Sequence, residues 1–500
     1  MKNEKINLSI LLIVSLLLSL TLYLRTHIIS SDGAFQYISL AKHFVSGSSK
    51  EGLAASGQQP FYPFLIALLY QWIPDFEISG RLIASLFGVL LIFPVYCLGR
   101  QIFEQKIVFF SALLLSIHPY IRRFSADVLK ESTYLFFLAT ALWFSWKTIQ
   151  GQKKYPYLLI PFLAGLAYLA RPDGVEILLV VFFHILFIKK NFVSGEKRKV
   201  ILLLFFSSAI FFLPYLLHLK ESTGTWTLSR TKSFFDFFNM NWAGGEIPIA
   251  SKILFTLKTL NSRCYTIFHP LYLFLMAVGL LKKFSMGLKE GEKFLISFLV
   301  LHYIVLFLLI LNVTKWAKGE ASHTLFYSGR HALPFLIFSI YWMGEGFLHL
   351  HDWLHDRMGS LKITFLSEPG RRSMFVWFSL FLLALALILP KTLKSQRYER
   401  LPEKWAGRWI KNQYGQGTTI FTTTPRVAFY AEGRYEFIDL KKGNIEMIRN
   451  AMTDQKAVFL VLRKGETDDI AREVIQNDFI ELSRFEGKGM ETVIIYKKAR

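Results

Sequence analysis

Residues 8–24 read LSILLIVSLLLSLTLYL and carry no charge. A helix needs roughly 20 apolar residues to cross the hydrocarbon core of a bilayer, so this run with its flanks matches a span. Further runs free of Asp, Glu, Lys and Arg follow at 200–217, 294–311 and 374–389. In lipid such runs satisfy their own backbone hydrogen bonds as helices, whereas a soluble chain exposing them would aggregate. Lys2 and Lys5 precede the first run as the basic flank of a signal peptide would, but Leu24-Arg25-Thr26-His27 is a poor cleavage site. The run is therefore expected to be an uncleaved first span.

Across the 500 residues, a hydrophobic share of 53% and a mean hydropathy of +0.36 decide less than their distribution. Spans are expected near 7–25, 79–101, 106–120, 131–148, 156–170, 174–190, 199–218, 266–283, 293–313, 331–350 and 373–390. That is about eleven crossings, the shorter ones tilted or lined by protein. With the N-terminus inside, the cytoplasmic loops collect the densest Lys and Arg clusters, at 147–154, 189–199, 282–293 and 371–372. The outer segments carry sparser arginines close to the spans: Arg122, Arg123, Arg171, Arg263 and Arg330. A positive charge on the disfavoured side suggests a task such as binding phosphate. The net charge of +22 is spread among loops and forms no nucleic-acid-binding motif. Cys97 and Cys264 provide neither a disulfide framework nor a zinc site.

From about Ser395 the composition becomes that of a soluble domain. Residues 418–424, 457–463 and 492–497 read as strands, and 444–452 and 467–476 as helices. The expected architecture is a polytopic α-helical membrane part, 1–394, with outer loops at 26–78 and 219–265. A small extracytoplasmic α/β domain, 395–500, follows. The chain is expected in the cell (inner) membrane, with its N-terminus cytoplasmic.

The loop at 26–78 is long for a helix connection, and such loops are often functional. It opens with Ser30-Ser31-Asp32-Gly33-Ala34-Phe35-Gln36-Tyr37-Ile38-Ser39-Leu40-Ala41, and an interfacial helix is expected from Ala34. A second interfacial helix is expected between Gln59 and Trp72, with Phe61, Tyr62, Tyr70 and Trp72 at headgroup level. Asp32 is either a helix N-cap or a carboxylate that activates an acceptor at the membrane surface.

After His118-Pro119 come Arg122, Arg123, Asp127 and Glu131. The two acids either serve a site or lie in a solvated turn in which Asp127 caps the next span. Arg171, in a very short loop, either snorkels or holds a phosphate. The loop 220–263 carries Trp226, Arg230, Lys232, Phe234, Phe235, Phe237, Phe238 and Trp242, and is a candidate to close over a sugar or a lipid tail. Arg330 and His331 before the tenth span are a further possible phosphate contact. His349, His351, Asp352, His355 and Asp356 have metal-ligand types but are expected in the cytoplasm, where a polar juxtamembrane helix explains them.

These residues in this order resemble the lipid-phosphate-sugar-dependent glycosyltransferases of the GT-C fold. The branch is that of the protein O-mannosyltransferases and the aminoarabinose transferases of lipid A. The resemblance covers roughly 7–340. It rests on Asp32 followed by Tyr37 and Ala41, on Gln59-Pro60-Phe61-Tyr62-Pro63, and on the acidic start of span four after His118-Pro119. Arg171-Pro172, and Arg330-His331 with Pro334, complete it. It implies an inverting transferase with Asp32 as the catalytic carboxylate and a polyprenyl-phosphate sugar as donor. It also implies a C-terminal domain outside the cytoplasm. Many relatives carry a second acid directly after the first; here it is Gly33, which weakens the case for a metal, and none is assigned.

Transfer needs a base, a cation on the leaving phosphate, and a surface where donor and acceptor meet. Asp32 supplies the base. Asp127, Glu131, Tyr37 and Tyr62 are candidates to position the acceptor. Arg171, with Arg122, Arg123 or Arg330, is the candidate phosphate site. The transferred hexosyl or pentosyl group would pass to a protein hydroxyl, lipid A or another envelope glycan. The rival readings are a lipid or sugar transporter, which would line a path with mid-span ionisable residues, and a scaffold without activity. His184, His302 and Glu176 are the exceptions that a transporter reading would use.

Overall fold

A computed structural model describes residues 2–150, 157–188, 194–230, 232–233, 247–313, 315–317, 320–322, 328–360, 368–438, 458–465, 475 and 477–499. The first helix is α1 (Lys2–Arg25), then come the helices of the loop at 26–78, α2 (Ile38–Val45), α3 (Ser49–Ala55) and α4 (Phe61–Tyr70). Next come α5 (Phe76–Leu90), α6 (Ile92–Ile102), α7 (Gln105–Ile117), α8 (Pro119–Ser125) and α9 (Glu131–Ile149). They are followed by α10 (Leu159–Ala170), α11 (Glu176–Phe183) and α12 (Ser194–Thr223). The membrane part ends with α13 (Ile249–Ile267), α14 (Pro270–Met286), α15 (Glu290–Val313), α16 (Leu333–Gly359) and α17 (Pro369–Leu393). Two short antiparallel hairpins pair β1 (Thr227–Ser229) with β2 (Lys232–Ser233) and β3 (Lys315–Ala317) with β4 (Glu320–Ser322).

Among the described residues each expected span lies mainly on helix, but the helices differ in kind. Six, among the described residues, are long and apolar enough to cross a membrane alone, or up to eight if two bent pairs each make one crossing. The bends are 57° between α7 and α8 and 104° between α13 and α14. Both bends fall at His-Pro, where the proline lacks the N–H that would continue the preceding helix. The expected spans 131–148, 156–170 and 174–190 fall mainly on α9, α10 and α11, and α9 packs inside the bundle with Leu138, Ala139 and Leu142 fully buried. α1, α12 and α17 instead expose Leu17, Phe206 and Phe378, as lipid-facing helices do. The aromatic part of the outer loop after 233, and the expected helices at 444–452 and 467–476, lie outside the described residues.

α16 is the buried axis of the bundle. It meets α14 through small residues: a Cβ on Gly279 would lie 1.9 Å from the Trp342 carbonyl, and one on Gly346 1.9 Å from that of Leu275. Backbones can approach this closely only where side chains are absent, which is how helices associate in lipid without a hydrophobic drive.

Beyond α17 lie α18 (Leu401–Tyr414), β5 (Thr419–Thr422), α19 (Pro425–Tyr430), β6 (Arg434–Phe437), β7 (Val458–Arg463), β8 (Phe479–Phe485) and β9 (Val493–Lys498). The strands form one mixed sheet in the order β6-β5-β7-β9-β8, with β5 parallel to both its neighbours. Central β7 buries both faces: Phe459 and Val461 pack with Ile410, Val427 and Ile495, while Leu460 and Leu462 pack with Ile438 and Phe479. The strands expected at 418–424, 457–463 and 492–497 are β5, β7 and β9.

This domain sits on the loop at 26–78. Lys404 Nζ donates to the His27 carbonyl at 2.8 Å, and the Ile29 amide donates to the Tyr430 hydroxyl at 3.2 Å. Phe35 meets the Tyr435 ring edge-on at 4.9 Å between centroids. Loop 26–78 and the C-terminal domain therefore share one side of the bundle.

Candidate active site

The start of the first loop helix decides between the two readings of Asp32. Ser30 caps it: its Oγ accepts from the Gly33 amide at 3.0 Å, and its carbonyl accepts from the Ala34 amide at 3.0 Å. Asp32 already has helical backbone angles and makes no capping bond. Its carboxylate points instead to Arg330, 2.5 Å away, and is about one-third exposed. Gly33 is held tightly, since a Cβ there would lie 2.8 Å from both the Val128 Cβ and its carbonyl oxygen. A second carboxylate beside Asp32 has no room.

Arg330 sits on a 3-10 turn, Gly329–Ala332, between Ser328 and α16. Behind it Glu131, the first residue of α9, is buried; its Oε1 is 3.5 Å from Arg330 and 3.9 Å from Arg171. The other oxygen, Oε2, is buried without a hydrogen-bond partner. Arg171 is mostly committed elsewhere. It pairs with Asp173 at 2.6 Å, covers the Tyr134 ring at 5.1 Å, and donates to the Arg330 carbonyl at 3.4 Å. Burial would raise the Asp173 carboxyl, but Arg171 holds it down at about 2. Lys130 donates to Gln58 at 2.8 Å; burial lowers its ammonium to about 8, with Arg171 and Arg330 adding to the shift.

Two arginines of the C-terminal α/β domain complete the cleft. Arg397 has a left-handed backbone, with φ 51°, a strained state for a non-glycine residue. It pairs with buried Asp127, whose Oδ1 also accepts from the amides of Ser30 at 3.1 Å and Val128 at 2.8 Å. Arg426 is held by Glu403 and donates to the Ser31 hydroxyl at 2.8 Å. Ser30, Ser31, Asp32, Phe124, Leu129, Arg330, Arg397 and Arg426 line a cleft of about 260 Å³. Asp127 and Glu403, the acids behind Arg397 and Arg426, do not line it. The cleft therefore shows guanidinium groups and one carboxylate, a donor set for an anion. It does not suit a divalent cation.

The other expected site residues lie apart from this lining. Tyr37 and Tyr62 are buried, edge-on at 5.4 Å, and Tyr62 donates to the Gly80 carbonyl at 2.9 Å; they form the floor beneath the loop. Arg122 is fully buried and ties α1 to α5, donating to the Ser19 hydroxyl at 3.0 Å and the Gly88 carbonyl at 2.8 Å. The Arg123 carbonyl accepts from Gln396 at 2.9 Å. Asp127 does not cap α9 and is a clip between the loop and the soluble domain. His351 stacks on Trp377 at 4.0 Å and packs α16 against α17. Arg397 and Arg426 were missing from the sequence reading. Arg397 is marked only as one of the basic residues around the end of the last span, with Lys391, Lys394 and Arg400, and nothing in the sequence marks Arg426.

The bundle thus sets the Asp32 carboxylate of the loop at 26–78 against arginines beneath a small α/β domain. Residues 57–218 match the family of dolichyl-phosphate-mannose-protein mannosyltransferases. ArnT from Cupriavidus metallidurans bound to undecaprenyl phosphate is similar with a TM-score of 0.58 and 11% identity, over 98% of this chain and 97% of that one. The oligosaccharyltransferase AglB from Archaeoglobus fulgidus, in complex with an inhibitory peptide and a dolichol-phosphate, is similar with a TM-score of 0.56 and 14% identity. That match covers 91% of this chain and 69% of that one. No curated protein matches the sequence. At these identities the likeness is one of fold, and the chain has the GT-C fold of a multi-pass membrane protein.

Proposed function

We propose that the chain is an inverting glycosyltransferase that moves a hexosyl or pentosyl group from a polyprenyl-phosphate carrier to an acceptor at the outer face of the cell membrane. The observation that carries the reading is the freedom of Asp32 from any capping bond, with its carboxylate set against Arg330 in a cationic cleft. The solved relatives bound to undecaprenyl phosphate and dolichol-phosphate support the donor class.

The ion pair gives the reaction its order. A donor phosphate entering the cleft competes for Arg330 and releases Asp32. The acceptor hydroxyl or amine then attacks the anomeric carbon on the face opposite the phosphate, and its proton passes to Asp32. The bond between carbon and phosphate oxygen breaks, and the pair of electrons stays on the phosphate, stabilised by Arg330. Glu131 and Arg171 hold Arg330 from behind. Arg397 and Arg426 bring the soluble domain to the acceptor side, and the acceptor is a protein hydroxyl, lipid A or another envelope glycan.

The dense Lys and Arg clusters in the sequence at 147–154, 189–199, 282–293 and 371–372 support a cytoplasmic N-terminus and an extracytoplasmic C-terminal domain. The test of the function is mass spectrometry of glycolipids and envelope proteins from cells with and without the gene. A sugar missing from one acceptor in the deletion, and restored by the wild-type gene but not by Asp32→Asn, is the expected result. Unchanged glycans in both would overturn the reading.

A further inference from the structure

His302 and Glu176 are ionisable residues deep in the apolar part of the chain, and the reaction outlined above uses neither. His302 on α15 and Glu176 at the start of α11 are both buried. His302 Nδ1 lies 2.7 Å from Glu176 Oε2, and its Nε2 lies 2.9 Å from the carbonyl oxygen of His331. A carbonyl only accepts, so Nε2 must carry a hydrogen. One further proton is shared between Nδ1 and the carboxylate, and the pair is neutral whichever atom holds it. Such a pair can be buried without the cost of a lone charge. It also fixes the ring, because neither nitrogen can leave without orphaning a partner.

The carbonyl that His302 holds belongs to the turn Gly329–Ala332 that carries Arg330. The preceding carbonyl, that of Arg330 itself, accepts from Arg171 at 3.4 Å. Ser328 completes the frame: its carbonyl accepts from the His331 amide at 3.1 Å, and its hydroxyl accepts from Arg330 Nε at 3.2 Å. The turn is thus gripped from the bundle side at two consecutive carbonyls. The position of the Arg330 guanidinium against Asp32 follows from the position of this turn.

We infer that His302, oriented by Glu176, is a positioning residue that sets Arg330 in the cleft and thereby sets the affinity for a lipid-linked phosphate. The inference rests on the reading of Arg330 as the phosphate contact. It adds two residues that touch no substrate.

The test uses the full chain in nanodiscs and two probes, undecaprenyl phosphate and undecaprenol. His302→Phe is expected to weaken undecaprenyl phosphate binding about tenfold, the scale of one buried hydrogen bond, and to leave undecaprenol binding unchanged. His302→Gln retains an N–H able to reach the carbonyl and is expected to restore most of the loss. In an Arg330→Ala background, His302→Phe should cause no further loss, because the residue acts through Arg330. Should His302→Phe fail to insert, Glu176→Leu leaves the ring unheld and is read the same way. Wild-type affinity in these variants overturns the inference while leaving the proposed function intact. So does a loss of equal size in the Arg330→Ala background, which marks general packing. If the wild-type protein binds the phosphate no better than the alcohol, the cleft is not a phosphate site and both readings fall.

Discussion

The Asp32 carboxylate and the Arg330 guanidinium meet at 2.5 Å across the cleft, while Ser30 does the capping that Asp32 could have done. The helix start therefore does not depend on the charge of Asp32. Asp32→Asn keeps the size of the side chain but cannot take a proton. The expected outcome is a normally inserted protein with transfer slowed by roughly 10²-fold or more, the scale of a lost general base. Single-turnover transfer from a purified lipid-linked donor measures it. A near-wild-type rate would sink the mechanism.

Asp127 and Glu131 separate by what they touch. Asp127 clips Ser30 and Arg397 together, so Asp127→Ala should loosen the soluble domain. Breaking a buried ion pair costs about 3–5 kcal/mol, and the loss should be largely shared with Arg397→Ala rather than added to it. Limited proteolysis between α17 and α18 reads it out. Glu131→Gln should leave that protection intact and lower transfer instead, because Glu131 stands behind Arg330. Equal protease sensitivity in both variants would refute the division of roles.

The sidedness is tested in chains with Cys97 and Cys264 replaced. Glu51→Cys and Lys488→Cys, both at exposed positions, should react with an impermeant maleimide on intact cells. Lys289→Cys, also exposed, should react only after lysis. Glu51 and Lys488 must behave alike, because loop and domain touch. Labelling of Lys289→Cys in intact cells would invert the topology.

The helices were legible because run length and charge-free composition are local properties, and α1, α12, α15 and α17 stand where the runs are. α18 went unread because its apolar residues Ala406 and Ile410 are buried against a sheet that short patterns do not reveal. Asp32, Glu131, Arg171 and Arg330 are legible as charges at the ends of apolar runs, and the structure brings them together. Their ranking is not. Sequence cannot tell that Asp173 occupies Arg171, that Arg122 lies under the surface among α1 and α5, or that Tyr37 and Tyr62 form a floor. Arg397 and Arg426 depend on how a separate domain docks, and the His302–Glu176 pair on two helices meeting. Spacing along the chain encodes neither.

The Arg171–Asp173 pair supplies a test in which pH fixes the sign. Asp173 is held at about 2 in the fold, below its value of about 3.9 in an unfolded chain. A depressed carboxyl binds fewer protons folded than unfolded between those values, so stability rises with pH there. Its contribution is complete above about pH 5 and is lost as pH falls through about 2, amounting to about 2–3 kcal/mol. Asp173→Asn should therefore unfold more easily than wild type by a margin that is flat from about pH 6 to 8. The margin should shrink between about pH 4 and 2. Denaturant unfolding in mixed micelles at several pH values measures it. A margin that widens on acidification would mean that Asp173 is not held ionised by Arg171, and the support behind Arg330 would need another source.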